Sequence, residues 1–209
     1  MEPFKNLIFD IGDVIIDIDY QVTIREFQKL ATVDFSQVVS YSHQNKIFDL
    51  FEVGKITAAQ FRDQLRPFLK PNIPDDAIDK AWNAIMIAFP VYKFDMLKEL
   101  KTRYHTFALS NINEIHVATL NRIALTKLGN PDFESFFHHA YYSNEIGHRK
   151  PEKEIFQFIL EMENLNPDQT FFVDDKKENV DAAKTLGIHA YQLTDRNKLT
   201  DLLKDLKII

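Results

Sequence analysis

Three apolar runs along the chain share one form. Residues 5–9 (KNLIF) stop at Asp10, residues 105–110 (HTFALS) end on Ser110, and residues 170–174 (TFFVD) end on Asp174. Short apolar runs closed by a small polar or acidic residue read as buried strands. His138–Tyr142 and His189–Leu193 are weaker strands of the same kind. Helical periodicity fills the intervals. Residues 91–102 place Phe94, Leu97 and Leu100 on one face, and residues 113–128 stop before Gly129, a natural residue to follow a helix end. Pro151 suits the first residue of a helix carrying Ile155, Phe158 and Ile159, and residues 176–186 stop at Gly187. Strands alternating with helices over short connections predict an α/β fold, a Rossmann-like, doubly wound parallel sheet with helices on both faces.

Residues 17–90 break the alternation. They show no convincing strand and several amphipathic helices. One opens on a capping box at residues 57–60 (TAAQ) and carries Phe61, Leu65 and Phe68 on one side, and Gly54 closes the helix before it. The segment reads as a small all-helical insert, a cap, in a core formed by residues 1–16 and 91–209. Inserted after the first strand, it overhangs the strand ends where open α/β sheets bind ligands.

Composition narrows the chemistry. The 209 residues contain no cysteine, which removes disulfides, thiolate metal sites and a cysteine nucleophile. The first ten residues, MEPFKNLIFD, lack the apolar stretch of a secretory signal, and no run approaches the length of a membrane span, so a cytoplasmic protein without a membrane partner is expected. The net charge of −6, without a dense Lys/Arg run, argues against nucleic acid. An acidic protein that handles an acidic substrate must gather positive charge at one point, and a bound cation plus one placed lysine would do so.

Four short segments at strand ends or helix starts could supply this chemistry: 9–14 (FDIGDV), 108–111 (ALSN), 149–152 (RKPE) and 172–179 (FVDDKKEN). Taken singly, Asp10 is also what a turn cap looks like, Ser110 a helix cap, Lys150 a surface lysine, and Asp174–Asp175 a solvated acid pair. Taken together they are what phosphoryl transfer needs. Asp10 can attack phosphorus as a carboxylate nucleophile. Ser110 and the backbone N–H of Asn111 form a phosphate cradle, Lys150 is a point charge for the phosphate and for Asp10, and the adjacent acids Asp174 and Asp175 favour a bound cation.

In that order the segments resemble the haloacid dehalogenase superfamily over nearly the whole chain: FDIGDVI is similar to its first motif, LSN to its second, RKP to its third and VDD to its fourth. The helical insert resembles the small cap of the subfamily that includes epoxide-hydrolase phosphatase domains and bacterial α-D-glucose-1-phosphate phosphatases, which have similar DxGxVxxDxD and SNxN segments. The resemblance implies a Mg2+-dependent phosphatase of small phosphorylated metabolites, such as sugar phosphates; monomer and homodimer both stay open. Asp10 would be the nucleophile, with the Gly12 carbonyl and Asp175 as metal ligands beside it and Asp174 as a second, nearby one. Asn179 would orient the acid pair, and His116 could face the substrate, although capping or packing locally is the more ordinary role of a histidine there.

One position departs from the family pattern. Gly12 stands where most phosphatases of the superfamily carry an acid/base aspartate, and Asp13 next to it should point elsewhere. The gap fits a substrate with a good leaving group, an acid recruited from the cap or the substrate, or a weakened protein that mainly binds phosphate and metal; it argues against a phosphomutase. A metal-independent 2-haloacid dehalogenase is the rival chemistry, but those enzymes lack the acid pair. Trp82, Asn83 and the segment around Phe48 and Phe51 are candidates for the pocket wall, with the core of the insert the more ordinary place for each.

Overall fold

A computed structural model describes residues 4–44 and 46–209 of the chain. Its strands are β1 (Asn6–Phe9), β2 (Asp17–Ile18), β3 (Met86–Ala88), β4 (His105–Ser110), β5 (His139–Tyr142), β6 (Thr170–Asp174) and β7 (His189–Gln192). Its helices are α1 (Tyr20–Leu30), α2 (Phe35–Gln44), α3 (Ile47–Glu52), α4 (Ala58–Leu65), α5 (Asp75–Asn83), α6 (Val91–Lys101), α7 (Glu114–Lys127), α8 (Ser143–Ile146), α9 (Lys153–Met162), α10 (Lys177–Lys184) and α11 (Leu199–Asp205).

Five of the strands form one parallel sheet in the order β5-β4-β1-β6-β7. Every residue of β1 and β6 is buried, as expected where both faces of a sheet are covered. Successive side chains point to opposite faces. Leu7 and Phe9 accordingly join a core with residues of α6, α7 and α11, while Ile8 joins a second core with Ile155, Phe156 and Ile159 of α9 and Val180 and Ala183 of α10. This is the doubly wound α/β fold expected from the alternation. From β1 the chain builds outward through β4 to β5, then returns to add β6 and β7 on the other side. The switch point is therefore at β1. Phe9 is level with Ala108 and with Val173, so the residues that follow them leave the sheet along one edge.

Two local expectations are corrected. Residues 17–90 are not free of strand: β2 and β3 pair antiparallel where the chain enters and leaves the helical insert. Strands of two and three residues are too short to carry a readable alternation. Pro151 does not begin a helix. It lies in a turn closed by the Glu152 N–H on the Arg149 carbonyl, with a cis Lys150–Pro151 bond, and α9 starts two residues later.

The five helices α1–α5 enclose a core of their own, with Phe27 stacked on Phe35 and Phe51 on Phe61 at ring separations of 4.5 and 4.3 Å. The capping box at Thr57 and Gln60 is present with both of its hydrogen bonds. The end of α3 rests on the core: the Ser143 hydroxyl donates to the Glu52 carbonyl. Gly54 turns the chain there at φ +68°, and a Cβ on it would lie 2.2 Å from the Asn144 carbonyl oxygen. Gly54→Ala therefore meets both a left-handed backbone and a backbone wall. It should destabilise the protein by more than about 1 kcal/mol in a urea titration; an unchanged midpoint would contradict this packing. No described helix is long and apolar enough to cross a membrane.

Candidate active site

The strand ends place the candidate residues around one buried lysine. Asp10 follows β1 and is held at the sheet edge by its N–H on the Val173 carbonyl. Lys150 Nζ lies 2.6 Å from Asp10 Oδ1, 2.7 Å from Asp174 Oδ2 and 2.7 Å from the Leu109 carbonyl. An ammonium has three protons to donate, and here all three have acceptors. The lysine itself is clamped: Asn111 Oδ1 accepts its backbone N–H and Asn111 Nδ2 donates to its carbonyl, both at 2.8 Å. From the sequence Asn111 is expected to act through its backbone N–H; its side-chain clamp between two loops distant in sequence has no signal in the pattern.

Asp174 is fully buried. Its Oδ1 accepts from the Lys176 N–H and Asn179 Nδ2, and its Oδ2 from Lys150 and Asn179 Nδ2. Asn179 thus touches both oxygens of Asp174. Both oxygens of Asp174 are engaged twice, whereas Asp175, next in the chain, lines a cavity of about 110 Å³ with Asp10, Gly12, Ser110, Asn111 and Lys150. Carboxylate oxygens of Asp10, Asp174 and Asp175 lie within 4.8 Å of one another.

Electrostatics follow from this crowding. Burial raises the Asp10 carboxyl to about 7; Lys150 pulls it down, and the charges of Asp174 and Asp175 push it back up. Burial and Asp174 raise Asp175 to about 6. Burial works against the Lys150 ammonium, but Asp10 and Asp174 outweigh it and hold the lysine above its ordinary range. Two lysines, Lys150 and Lys176, act on three carboxylates, so the cluster still carries surplus negative charge that a divalent cation would relieve. The donor set, all oxygen, suits a hard cation.

The remaining candidates separate. Asp13 turns away from the cavity, as expected, and pairs with Arg196 at 2.9 Å while accepting the Ile18 N–H. His116 lines the cavity, yet it is stacked on Trp82 at 5.2 Å, with Nε2 on the Trp82 carbonyl and Nδ1 on Asn113. Burial lowers it to about 4, so it is neutral near pH 7. Trp82 lines the same cavity, Phe48 lines an adjoining chamber, Phe51 is core of the insert, and Asn83 faces a separate outer groove. Tyr20, Glu52 and Lys176 also line the cavity and were not singled out from the sequence. Periodicity shows which helix positions are apolar, but not which polar ones overhang a site.

A family profile described as haloacid dehalogenase-like hydrolase matches residues 4–187. D-ribitol-5-phosphate phosphatase of Bacteroides thetaiotaomicron is 32% identical over 188 residues, covering 90% of this chain and 91% of the relative. An HAD family enzyme of the same organism, solved in complex with magnesium and inorganic phosphate, is 35% identical with a TM-score of 0.82, covering 90% of this chain and 93% of that one. A predicted HAD-like family hydrolase from Porphyromonas gingivalis aligns with a TM-score of 0.88 at 26% identity over 98% of both chains.

Proposed function

The chain belongs to the haloacid dehalogenase-like hydrolase family, and from that premise we propose that it is a magnesium-dependent phosphatase of small phosphorylated metabolites, sugar or sugar-alcohol phosphates above all, acting through an aspartyl-phosphate on Asp10. The observation that carries the reading is the buried Asp10–Lys150–Asp174 arrangement with Asp175 beside it in a cavity at the switch point of the sheet. The phosphatase relative, similar over nine-tenths of the chain, supports it.

In this reading Asp10 attacks phosphorus, and Lys150 on its Oδ1 fixes the carboxylate and favours its ionised form. The Ser110 hydroxyl and the Asn111 N–H meet the phosphate oxygens, and Lys150, its three protons already engaged, acts on them through its charge. Asp10, the Gly12 carbonyl and Asp175 would hold magnesium, with Asp174, engaged by Lys150 and Asn179, behind them. The metal, when bound, offsets the charge gathered on the phosphate oxygens. Residues 17–90 serve as the cap over a core of residues 1–16 and 91–209, and contribute Tyr20, Glu52 and Trp82 to the wall of the cavity.

With magnesium, purified protein should release inorganic phosphate from members of a sugar- and polyol-phosphate panel. No release from any of them would count against the reading. Magnesium should also raise the thermal midpoint over that in chelator, because a ligand of the folded state stabilises it. Asp175→Asn should remove most of that rise, and equal midpoints of the wild type in magnesium and in chelator would argue that these carboxylates hold no metal.

A further inference from the structure

The phosphatase reading leaves one atom unserved: the leaving oxygen needs a proton, and Gly12 has no side chain to give one. A Cβ at Gly12 would lie 2.9 Å from Ile18 Cδ1, the far end of a side chain that leans over this position. Asp13 lies outside the cavity lining, paired with Arg196, and both ring nitrogens of His116 are engaged by Trp82 and Asn113. Asp10, Glu52 and Asp175 are the carboxylates lining the 110 Å³ cavity among the described residues. The first is the nucleophile and the third belongs to the metal group.

Glu52 occupies a telling position. Beyond the small cavity lies a chamber of about 430 Å³, lined by Phe48, Trp82 and Arg149 among others, with room for the organic part of a substrate. Glu52 is the carboxylate that lines both spaces. A phosphate in the first and a carbon skeleton in the second place the bridging oxygen at their junction. Glu52 is also fixed there: its carbonyl accepts the Ser143 hydroxyl, and its carboxylate lies 2.9 Å from Arg149, which Asp49 shares.

We propose that Glu52, supplied by the helical insert, is the general acid and base that replaces the absent aspartate at Gly12. In the first step Asp10 Oδ bonds to phosphorus, the bond from phosphorus to the leaving oxygen breaks, and Glu52 gives its proton to that oxygen to release an alcohol. In the second, Glu52 takes a proton from water as the water oxygen attacks phosphorus, which frees Asp10 and inorganic phosphate. The charged groups around Glu52 are Arg149, Lys176, Asp49 and Lys150. Burial raises its carboxyl above the ordinary glutamate range against the pull of Arg149 and Lys176, a shift toward the protonated form that an acid needs.

The inference rests on the phosphatase reading, and a series of phosphate monoesters of graded leaving-group acidity, assayed with magnesium, separates the two. Glu52→Gln should lose about 10²–10⁴-fold in kcat/KM on alkyl phosphates and little on p-nitrophenyl phosphate, whose leaving group needs no proton. On that ester it should show a burst of nitrophenol, because the second step still lacks its base. An equal loss across the series, no loss at all, or a leaving-group-selective loss in Tyr20→Phe instead would overturn the role of Glu52. Should the Gln variant fail to fold, Glu52→Asp is compared with the wild type: kcat/KM should vary weakly along the series in the wild type and steeply in Glu52→Asp, and a steep dependence in the wild type or a weak one in the variant overturns the proposal. A wild type that hydrolyses no member of the series removes the phosphatase reading itself.

Discussion

Asp10→Asn should abolish turnover, by about 10⁴-fold or more, the order expected when a covalent nucleophile is lost, while making the magnesium-free protein more stable at pH 8. The two effects come from one cause. In the wild type, burial and the charges of Asp174 and Asp175 raise Asp10 to about 7. A carboxyl whose pKa is raised on folding favours the folded state at low pH. That contribution is complete below the unfolded value and is lost as pH rises through about 7. Above pH 7 the wild type therefore carries an unfavourable buried charge that asparagine lacks. The advantage of Asp10→Asn in thermal midpoint should be small near pH 4 and full above pH 7. Melting curves at both pH values, beside a phosphate-release assay, check this. A variant that is both inactive and destabilised at pH 8 would show only that the site had collapsed.

Lys150→Ala should move stability the other way. Removing this lysine leaves Asp10 Oδ1, Asp174 Oδ2 and the Leu109 carbonyl without their shared donor, and Asp174 is fully buried. Breaking a buried charge cluster from one side typically destabilises by about 3–5 kcal/mol, because the opposite charges stay behind unpaired. The loss should be read from urea unfolding at pH 7, where Asp174 cannot reach water. Activity should fall with it, since the same ammonium orients the nucleophile and faces the phosphate. A loss under about 1 kcal/mol would mean that the carboxylates find other partners, and that Lys150 is not the hub of the site. The opposite signs expected for Asp10→Asn and Lys150→Ala make the pair informative: a general loss of packing would lower both.

Much of this site was legible because a parallel sheet exposes its chemistry where apolar runs stop. Asp10, Ser110 and Asp174 each end such a run, and the observed strands Asn6–Phe9, His105–Ser110 and Thr170–Asp174 fall within one residue of the expected ones. The weaker His138–Tyr142 and His189–Leu193 were found as His139–Tyr142 and His189–Gln192. What escaped the sequence depends on contacts between distant segments. The strand order comes from pairing, which no local pattern encodes. The ribbon of β2 and β3 joins residues some seventy positions apart with too few residues to show a period. Asn111 reaches across to the backbone of Lys150, and Glu52 lines the cavity from the end of α3, which docks on Ser143. Gly12 was visible as a gap in the motif, but Ile18 as the residue leaning over that position was not.

The central claim is that Asp10 carries the phosphoryl group between two half-reactions. Protein quenched in acid during turnover of a phosphate monoester with magnesium, then digested and analysed by mass spectrometry, tests it directly. The phosphoryl group should be found on the peptide containing Asp10, should be removed by hydroxylamine, and should accumulate in Glu52→Gln. Steady release of inorganic phosphate with no phosphoryl group on that peptide, or undiminished turnover by Asp10→Asn, would contradict it.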